Sequence, residues 1–520
     1  MPDAIVLVGM PASGKTTVGR MLAERLRRRL VDTDLLVEQR TGVPVPAYLA
    51  RHGEAAFRAV EADAVREACA VPGAVVCAGG GAVIDPLNRW ALWHLGTVAW
   101  LDAAPEHLAE RLRADPIDRP TFRPYEATSL ATVLAERAPA YGAADIHLDA
   151  TASPERVAAT LIASIPRTGG RRLFDAQVPR HHPIGPPATR VVMGVGLDLE
   201  PAVEGVAVVD RRLLAAAPGI VAAIGARACL PLRGGERAKR LATLGRVLEW
   251  LACQRVERET PLVAVGGGTI GDLAGTAAAL YARGLPLVQV PTTWLAQADS
   301  AIGGKVAIDL DGVKNAVGAF WPPVAVLSDV AVLRSLPARQ RRDGIAESAK
   351  AALIGDPALW RLLEDRGRGA LRDDEPARYA IVERSARLKL AVCEHDPFET
   401  GERRTLNLGH TVGHALEVES RYHLGHGAAV ALGMRVAMTI AARRGADPDL
   451  PGRLDDLLST LGFSPRRAFQ AGLVREAMLG DKKRHAGRQR WILPMEIGHT
   501  VEVDDVTDAE LERGLGAIRA

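Results

Sequence analysis

Two α/β units in tandem, the second passing into a mainly helical segment, are predicted by three features of this sequence. Up to about residue 166, short apolar runs alternate with Arg/Glu/Ala-rich stretches of helical spacing. A second series of such runs extends from Val206 to Leu327, and after about Ser335 they give way to Ala/Leu/Arg/Glu segments. At 520 residues the chain is also too long for one core at roughly 150 residues per domain.

In the first segment the runs Ile5–Val8, Val75–Cys77 and Val98–Leu101 read as parallel strands. From Pro166 to Arg190 the text turns to Pro, Gly, Arg and His, a linker merging into a domain start with at most one short strand around Phe174 to Val178. Strands are expected at Val206–Val209, Leu262–Val265, Leu287–Val290 and Val324–Leu327. The expected segments are thus 1–166, a linker and start over 167–190, an α/β domain over 172–334 and a helical domain over 335–520.

Composition narrows the partners. Lys plus Arg is 65 against 62 for Asp plus Glu, so no basic footprint for nucleic acid is expected. No apolar run approaches the roughly 20 residues that span a bilayer, and Met-Pro-Asp opens without a basic leader region. Five cysteines, odd in number and without a C-x-x-C pair, suit a reducing cytoplasm.

Gly9-Met-Pro-Ala-Ser-Gly14-Lys15-Thr16 fits G-x-x-x-x-G-K-[ST] between a strand and a helical run. Such a loop aims backbone N–H groups and a helix N-terminus at phosphate; Lys15 would reach the β/γ-phosphates, Thr16 a magnesium ion, with Thr17 beside it. Two acids in a turn are ordinarily just solvated, but Asp32 and Asp34 end a strand beside this loop. There one can hold a metal-bound water and the other accept a hydroxyl proton. Arg58 can grip a carboxylate in bidentate fashion, and Gly79, Gly80 and Gly81 offer open backbone.

Together with Gly53-Glu, Phe57-Arg58, Arg119-Pro120 and Arg137-Ala-Pro-Ala-Tyr141, these residues resemble shikimate kinase over essentially the whole of 1–166. The resemblance implies a phosphate-loop kinase fold of the adenylate-kinase type, using ATP with Mg²⁺. Shikimate would lie between Asp34, Arg58, Gly79 to Gly81 and Arg137. Arg119 would close over the transferred group, Asp34 would orient or deprotonate the accepting hydroxyl, and Arg111 would stack on adenine. Pro11 and the Thr-Phe-Arg after Arg119-Pro120 depart from the family. A kinase of small neutral sugars is the competitor, and two arginines aimed at the acceptor favour an anion.

In the second half, Gly266-Gly-Gly-Thr-Ile-Gly271-Asp272 follows a strand, giving G-x-G-x-x-G in the strand-to-helix setting of dinucleotide folds. The ribose-binding acid usual about 20 residues on is absent, since no Asp or Glu lies between Asp272 and Asp299; Asp210 is the alternative acceptor. His410 and His414 stand i, i+4, but Thr411 occupies the glutamate place of H-E-x-x-H, which argues against a zinc protease. With His423, His426 and the upstream Glu347, four histidines of 13 cluster, and a Glu/His set with open positions suits a catalytic Zn²⁺. Lys305 and Lys314-Asn315, among glycines and apolar residues, suit an anion pocket.

These motifs resemble 3-dehydroquinate synthase from about residue 172 to near the C-terminus. The resemblance implies a Rossmann-like domain followed by a helical metal-binding domain, NAD, and Zn²⁺ or Co²⁺. It implies Glu347, His410 and His426 as metal ligands. Asp210, Glu236, Lys239, Gly266, Gly267, Gly268, Asp272, Thr292 and Thr293 would surround NAD, with Lys305 and Lys314 beside it. Asp299, Lys305, Asn315, Lys350, Lys389, Arg403, Asn407, His414 and a lysine of the Lys482/Lys483 pair would bind substrate. Lys350, Asp299 and His414 would manage protons. Arg283 would reach the substrate phosphate of a neighbouring subunit, so a homodimer through this half is expected.

Overall, a bifunctional enzyme acting on shikimate and on a heptulosonate phosphate is expected. Polyol dehydrogenases, sedoheptulose phosphate cyclases and a degenerate nucleotide-binding tether are the alternatives. Lys389 and Arg403 favour a substrate carboxylate, because a site built to pair a buried carboxylate loses several kcal/mol without it.

Overall fold

The computed structural model describes residues 4–115, 122–142, 144–165, 173–182, 185–197, 205–311, 313–479, 484–485 and 488–520. The chain divides into two compact units, Met1–Gly170 and Arg171–Ala520.

In the first unit, strand β1 (Ala4–Val8) is buried along its whole length, and the phosphate loop leads from it into α1 (Lys15–Leu26). There follow β2 (Leu30–Asp32), α2 (Thr33–Thr41), α3 (Val45–Cys69), β3 (Val75–Cys77), α4 (Pro86–Leu95), β4 (Gly96–Asp102), α5 (Pro105–Ala114), α6 (Ala127–Tyr141), β5 (Ile146–Asp149) and α7 (Pro154–Ser164). The sheet order is β2-β3-β1-β4-β5, parallel throughout. That arrangement explains why β1 and β3 read as unbroken apolar runs: helices cover both faces of a parallel sheet, so neither face sees water. The C-terminal ends of β1, β2 and β3 converge, which brings the phosphate loop, Asp32 and Gly79–Gly81 to one edge.

The second unit opens with β6 (Leu173–Pro179) and β7 (Ala188–Gly194), followed by β8 (Val206–Asp210), α8 (Leu213–Ala216), α9 (Pro218–Ala223), β9 (Ala228–Leu232), α10 (Leu241–Cys253), β10 (Leu262–Gly266), α11 (Gly268–Leu280), β11 (Leu287–Pro291), the hairpin β12 (Lys305–Leu310) and β13 (Val313–Phe320), and β14 (Ala325–Asp329). The sheet order is β6-β7-β14-β11-β10-β8-β9; β6 and β7 pair antiparallel and the rest parallel. Alternate residues face opposite layers. Val206, Val208, Leu262, Ala264 and Leu287 pack with α10 and α11, while Ala207, Val209, Val263, Val265, Val288 and Val290 pack with α8 and α9.

The helical part comprises α12 (Ala338–Gly355), α13 (Pro357–Ala370), α14 (Glu375–His395), α15 (His410–Glu419), α16 (His426–Ala441), α17 (Leu450–Thr460), α18 (Ala471–Leu479) and, after two small hairpins, α19 (Asp508–Ala517). The hairpins are β15 (Arg484–His485) with β16 (Arg488–Gln489), and β17 (Trp491–Glu496) with β18 (His499–Val503). No described helix is long and apolar enough to cross a membrane.

Sequence and structure differ at identifiable places. The strand expected around Phe174 to Val178 is β6; beyond it, the stretch read as a linker merging into a domain start also holds the start of β7, whose alternation is masked by the Pro186-Pro187 entry. Strand β9 escaped because Pro231 breaks its pattern; at the sheet edge its missing N–H costs no ladder bond. Strand β13 is largely exposed, so it lacks the apolar contrast by which strands are read, and its partner β12 buries only Val306 and Ile308 in the core.

Candidate functional site

At the first site, α1 starts after Gly14, whose φ of 93° favours glycine, and no side chain caps its first N–H groups. They are left for an anion. Lys15 Nζ donates to the carbonyls of Gly9 and Met10 at 2.9 Å each, folding the lysine over the loop. Thr16 Oγ1 donates to Asp32 Oδ2 at 2.9 Å, so the two groups expected at magnesium already meet. The other Asp32 oxygen caps α2 by accepting from Asp34 N at 3.1 Å, which fixes the orientation of Asp34.

Arg58, Asp34, Gly79–Gly81 and Arg137 are brought together. A Cβ on Gly79 would lie 2.5 Å from Asp34 Oδ1, and one on Gly81 would lie 2.6 Å from Arg58 Nη1, so a side chain at either position would displace the carboxylate or the guanidinium. Arg137 Nη1 and Tyr141 OH both donate to Gly80 O, at 3.2 and 2.5 Å. Arg111 Nη2 donates to Ala150 O at 2.8 Å, with Nη1 near Ala12 O of the phosphate loop. Arg119 lies outside the described residues. Sequence reasoning missed Glu61, which is 2 % exposed and accepts from Arg58 Nη1 at 2.6 Å. Burial pushes its carboxyl up while Arg58 pulls it down, so it orients the guanidinium from below. Its place three residues after Arg58 on α3 was the available signal.

In the second unit, β10 delivers the glycine loop to the N-terminus of α11, again without a side-chain cap. A Cβ on Gly267 would lie 2.9 Å from Thr293 Cγ2, and one on Gly268 2.6 Å from Ser300 Oγ. Thr292 N donates to Gly266 O at 2.9 Å. Lys239, 4 % exposed, donates to Asp272 Oδ2 at 2.7 Å and Asn315 Oδ1 at 2.5 Å. Burial pulls the Lys239 ammonium down, but Asp272, Glu236 and Asp309 together raise it and the net shift is upward. Asp210 ends β8 beside Gly234, where a Cβ would lie 2.4 Å from its Oδ2. Asn315, expected at substrate, thus stands against the Lys239–Asp272 pair.

Across from this loop, Glu347 on α12, His410 at the start of α15 and His426 at the start of α16 converge. Glu347 Oε1 is 3.0 Å from His426 Nε2 and 3.6 Å from His410 Nε2. Each offers a ligand atom within 4.8 Å of the others. Burial would lower the His426 pKa, yet the Glu347 and Glu417 carboxylates push it up to about 10. That reports a negative field, which a divalent cation would neutralise, and two imidazoles with one carboxylate are the donor set Zn²⁺ or Co²⁺ takes. The residues therefore fit the metal. The His410 and His414 rings lie 5.1 Å apart. His423 does not join them; its Nδ1 meets Ser420 O at 2.9 Å, so the cluster of four histidines is one of three.

A ring of basic groups surrounds the cluster. Lys350, fully buried, lies 2.5 Å from Glu347 Oε2. Asp299, on the π-helical turn Ala296–Ser300, meets Lys389 Nζ at 2.9 Å through Oδ1. Burial alone would raise the Asp299 pKa, but Lys389 and Lys350 hold it well below the usual carboxylate range. Arg403, 2 % exposed, donates to Pro397 O at 2.5 Å and Gly303 O at 2.6 Å. Lys305 pairs with Glu399, which also accepts from Asn407 Nδ2 at 2.9 Å. Glu399 carried no sequence signal; it sits in a loop at φ 59° and gathers two groups expected at substrate. Lys314 turns toward Glu417 and Glu236. Arg283, exposed in a turn at φ 60°, has no ion pair among the described residues. Lys482 and Lys483 lie outside the described residues.

A phosphate loop opening on a carboxylate–arginine pocket, joined to a glycine-rich strand-to-helix crossing that faces a Glu–His–His cluster ringed by lysines, defines the class. It is a phosphotransferase fused to a sugar phosphate cyclase. The family model for shikimate kinase matches residues 11–166, that for the 3-dehydroquinate synthase N-terminal part 229–343, and that for its C-terminal part 344–484. A 3-dehydroquinate synthase of Paracoccus denitrificans is 42 % identical over 299 residues, 56 % of this chain and 81 % of that one. A 2-epi-valiolone synthase of Actinosynnema mirum is 40 % identical over 296 residues, 55 % of this chain and 77 % of that one. Among solved structures, the 2-epi-5-epi-valiolone synthase of Streptomyces hygroscopicus subsp. jinggangensis, with NAD⁺ and Zn²⁺ bound, superposes with a TM-score of 0.60 at 29 % identity, over 65 % of this chain and 98 % of that one. The chain belongs to the 3-dehydroquinate synthase family and carries a shikimate kinase domain ahead of the synthase, a bifunctional enzyme of the shikimate pathway.

Proposed function

We propose that the first unit transfers the γ-phosphoryl group of ATP, held with Mg²⁺, to the 3-hydroxyl of shikimate. The second unit converts 3-deoxy-D-arabino-heptulosonate 7-phosphate to 3-dehydroquinate and phosphate with NAD⁺ and Zn²⁺ or Co²⁺. The observation that carries the second assignment is the meeting of Glu347, His410 and His426 with Lys350, Asp299, Lys389, Arg403 and Asn407 beside the glycine loop. A cyclase acting on a carboxylate-free sugar phosphate would leave Arg403, whose guanidinium donates to backbone carbonyls and has no ion pair among the described residues, without an anionic partner, at a cost of several kcal/mol.

In the kinase, Asp34 receives the hydroxyl proton, Arg58 and Arg137 grip the shikimate carboxylate, and Lys15 with the N-terminus of α1 neutralises the phosphates. Thr16 and Asp32 hold the magnesium shell, and Arg119 closes over the transferred group. In the synthase, Asp210, Glu236, Lys239, Asp272, Thr292, Thr293 and the glycines would hold the dinucleotide, and Glu347, His410 and His426 the metal. When bound, these groups take up and return a hydride and polarise the reacting hydroxyl. Lys389, Arg403 and Asn407 orient the substrate carboxylate. Lys305, Asn315 and a lysine of the 482/483 pair receive phosphate. Lys350, Asp299 and His414 manage protons through water, Asp299 as the ionised carboxylate that holds its lysines in place.

The segments 1–166, 172–334 and 335–520 act as kinase, dinucleotide and metal domains, in the cytoplasm, where the five free thiols are stable. The synthase half forms a homodimer: Leu280, Leu310, Val313, Val317 and Phe320 are exposed apolar residues on and near the β12–β13 hairpin, close in sequence to the unpaired Arg283.

One preparation tests both assignments. The purified chain should release ADP only with shikimate present, and form dehydroquinate from the heptulosonate phosphate. Chelation should silence the synthase until Zn²⁺ or Co²⁺ is restored, while Mg²⁺ alone revives the kinase. A chelated synthase that still turns over would overturn the metal assignment.

A further inference from the structure

Glu417 lies on α15 seven residues after His410, is 5 % exposed, and belongs to none of the sets above. Its Oε1 is 3.3 Å from His426 Nδ1, while His426 Nε2 lies 3.0 Å from Glu347 Oε1. The imidazole is thus held edge-on between two carboxylates. A neutral histidine that ligates through one nitrogen carries its proton on the other, so a carboxylate accepting from Nδ1 fixes both the tautomer and the ring orientation with Nε2 toward Glu347.

The other face of Glu417 meets Lys314, whose Nζ lies 3.3 and 3.2 Å from its two oxygens and 3.4 Å from Glu236 Oε1. Lys314 belongs to β13 in the α/β part; its neighbour Asn315 accepts from Lys239, which pairs with Asp272 near the start of α11. A single ammonium therefore ties the dinucleotide side to the carboxylate behind a metal ligand. Burial would depress the Lys314 pKa, but Glu417 and Glu236 raise it, so the link is ionic. Glu417 could instead ligate the metal itself, since it also groups with His414 and His426. The ammonium on both its oxygens competes against that role.

We propose that Glu417 is a positioning residue for the metal ligand His426, and that Lys314, bridging Glu417 to Glu236, couples metal binding to dinucleotide binding. This rests on the assignment of Glu347, His410 and His426 to the metal and of Glu236 to NAD⁺. Dinucleotide closing on Glu236 fixes one end of the Lys314 bridge and so steadies Glu417 and His426. Metal then binds more tightly with NAD⁺ present, and NAD⁺ more tightly with metal, by the same factor.

The experiment uses the full chain, stripped of metal and titrated with Co²⁺, followed by calorimetry and the visible d–d bands, with and without saturating NAD⁺. The parent should bind Co²⁺ at least about 5-fold more tightly with NAD⁺. Glu417→Leu should lose about 10- to 100-fold in Co²⁺ affinity and alter the bands, and Glu417→Gln, whose amide oxygen still accepts from Nδ1, should recover most of that loss. Lys314→Met should bring the ratio of affinities with and without NAD⁺ to about one. Circular dichroism checks each fold; if the Leu variant does not fold, Glu417→Gln decides the matter, because it should retain the bands yet lose the NAD⁺ dependence. Parental affinity and bands in a folded Glu417→Leu would overturn the positioning role, and an undiminished ratio in Lys314→Met would overturn the coupling. A parent that binds no Co²⁺ at all would overturn the metal site itself, a distinguishable failure.

Discussion

Arg403→Met should separate substrate recognition from structure in the synthase. Arg403 is 2 % exposed and donates to Pro397 O and Gly303 O at 2.5 and 2.6 Å, so methionine fills much of the same volume but leaves two half-buried carbonyls without that donor. Each such loss costs about 1–3 kcal/mol, and partial relaxation of the exposed Phe398 loop puts the total near 2–4 kcal/mol. In a unit of this size that lowers the melting temperature by about 3–5 °C. The catalytic loss is separate. Removing the cation from a buried, hydrogen-bonded carboxylate partner costs about 2–5 kcal/mol, or roughly 30-fold to several thousand-fold in kcat/KM. That loss should fall on the heptulosonate phosphate and spare sedoheptulose 7-phosphate, which lacks the carboxylate. Steady-state rates with both sugars, beside a melting curve, read the two effects apart. Equal losses for both sugars would mean that Arg403 serves structure or phosphate, and an unchanged melting temperature would mean that its carbonyl bonds contribute nothing net.

Three further outcomes are expected. Lys15→Ala should abolish shikimate-dependent ADP release and leave dehydroquinate formation near normal, since the two sites share no residue; loss of both in a folded chain would contradict their independence. Mixing Arg283→Ala with His410→Ala chains should restore roughly a quarter of parental synthase activity, because half the dimers are hybrids with one intact site of two. No recovery after demonstrated subunit exchange would place Arg283 within its own site or outside both. Hydrogen bonds from Arg444 and Thr507 hold Glu510 down at about 2. A depressed carboxyl contributes stability above its unfolded pKa and loses it as pH falls, so protection of α19 from hydrogen exchange should fade between about pH 4.5 and pH 2. Glu510→Gln should already lack that protection at neutral pH; identical acid profiles would refute the role.

The chemistry was legible because it is written in contiguous strings. Gly9 to Thr16, Asp32–Asp34, Gly79–Gly81, Gly266–Asp272 and Asn407–His414 each set a backbone shape or a local side-chain spacing, and local shape follows from local sequence. The parallel strands were legible for a related reason: burial on both faces leaves an unbroken apolar run in β1, β10 and Val206–Val209 of β8. The edge strand β9 and the exposed strand β13 carry no such contrast, and each rests on its pairing, β9 with β8 and β13 with β12.

What only the tertiary structure decided is which charges face each other. Glu61 beneath Arg58, Glu399 between Lys305 and Asn407, and Glu417 between Lys314 and His426 are ordinary acids in the sequence. Each acquires its role because folding buries it beside a cation or imidazole, and in that low-dielectric setting an unpaired charge is too costly to persist. His423 shows the converse: one turn of chain separates it from the metal cluster, and its ring goes to a backbone carbonyl instead. Sequence spacing determined which groups could gather; packing α12 and α15 against α16 determined which of them did.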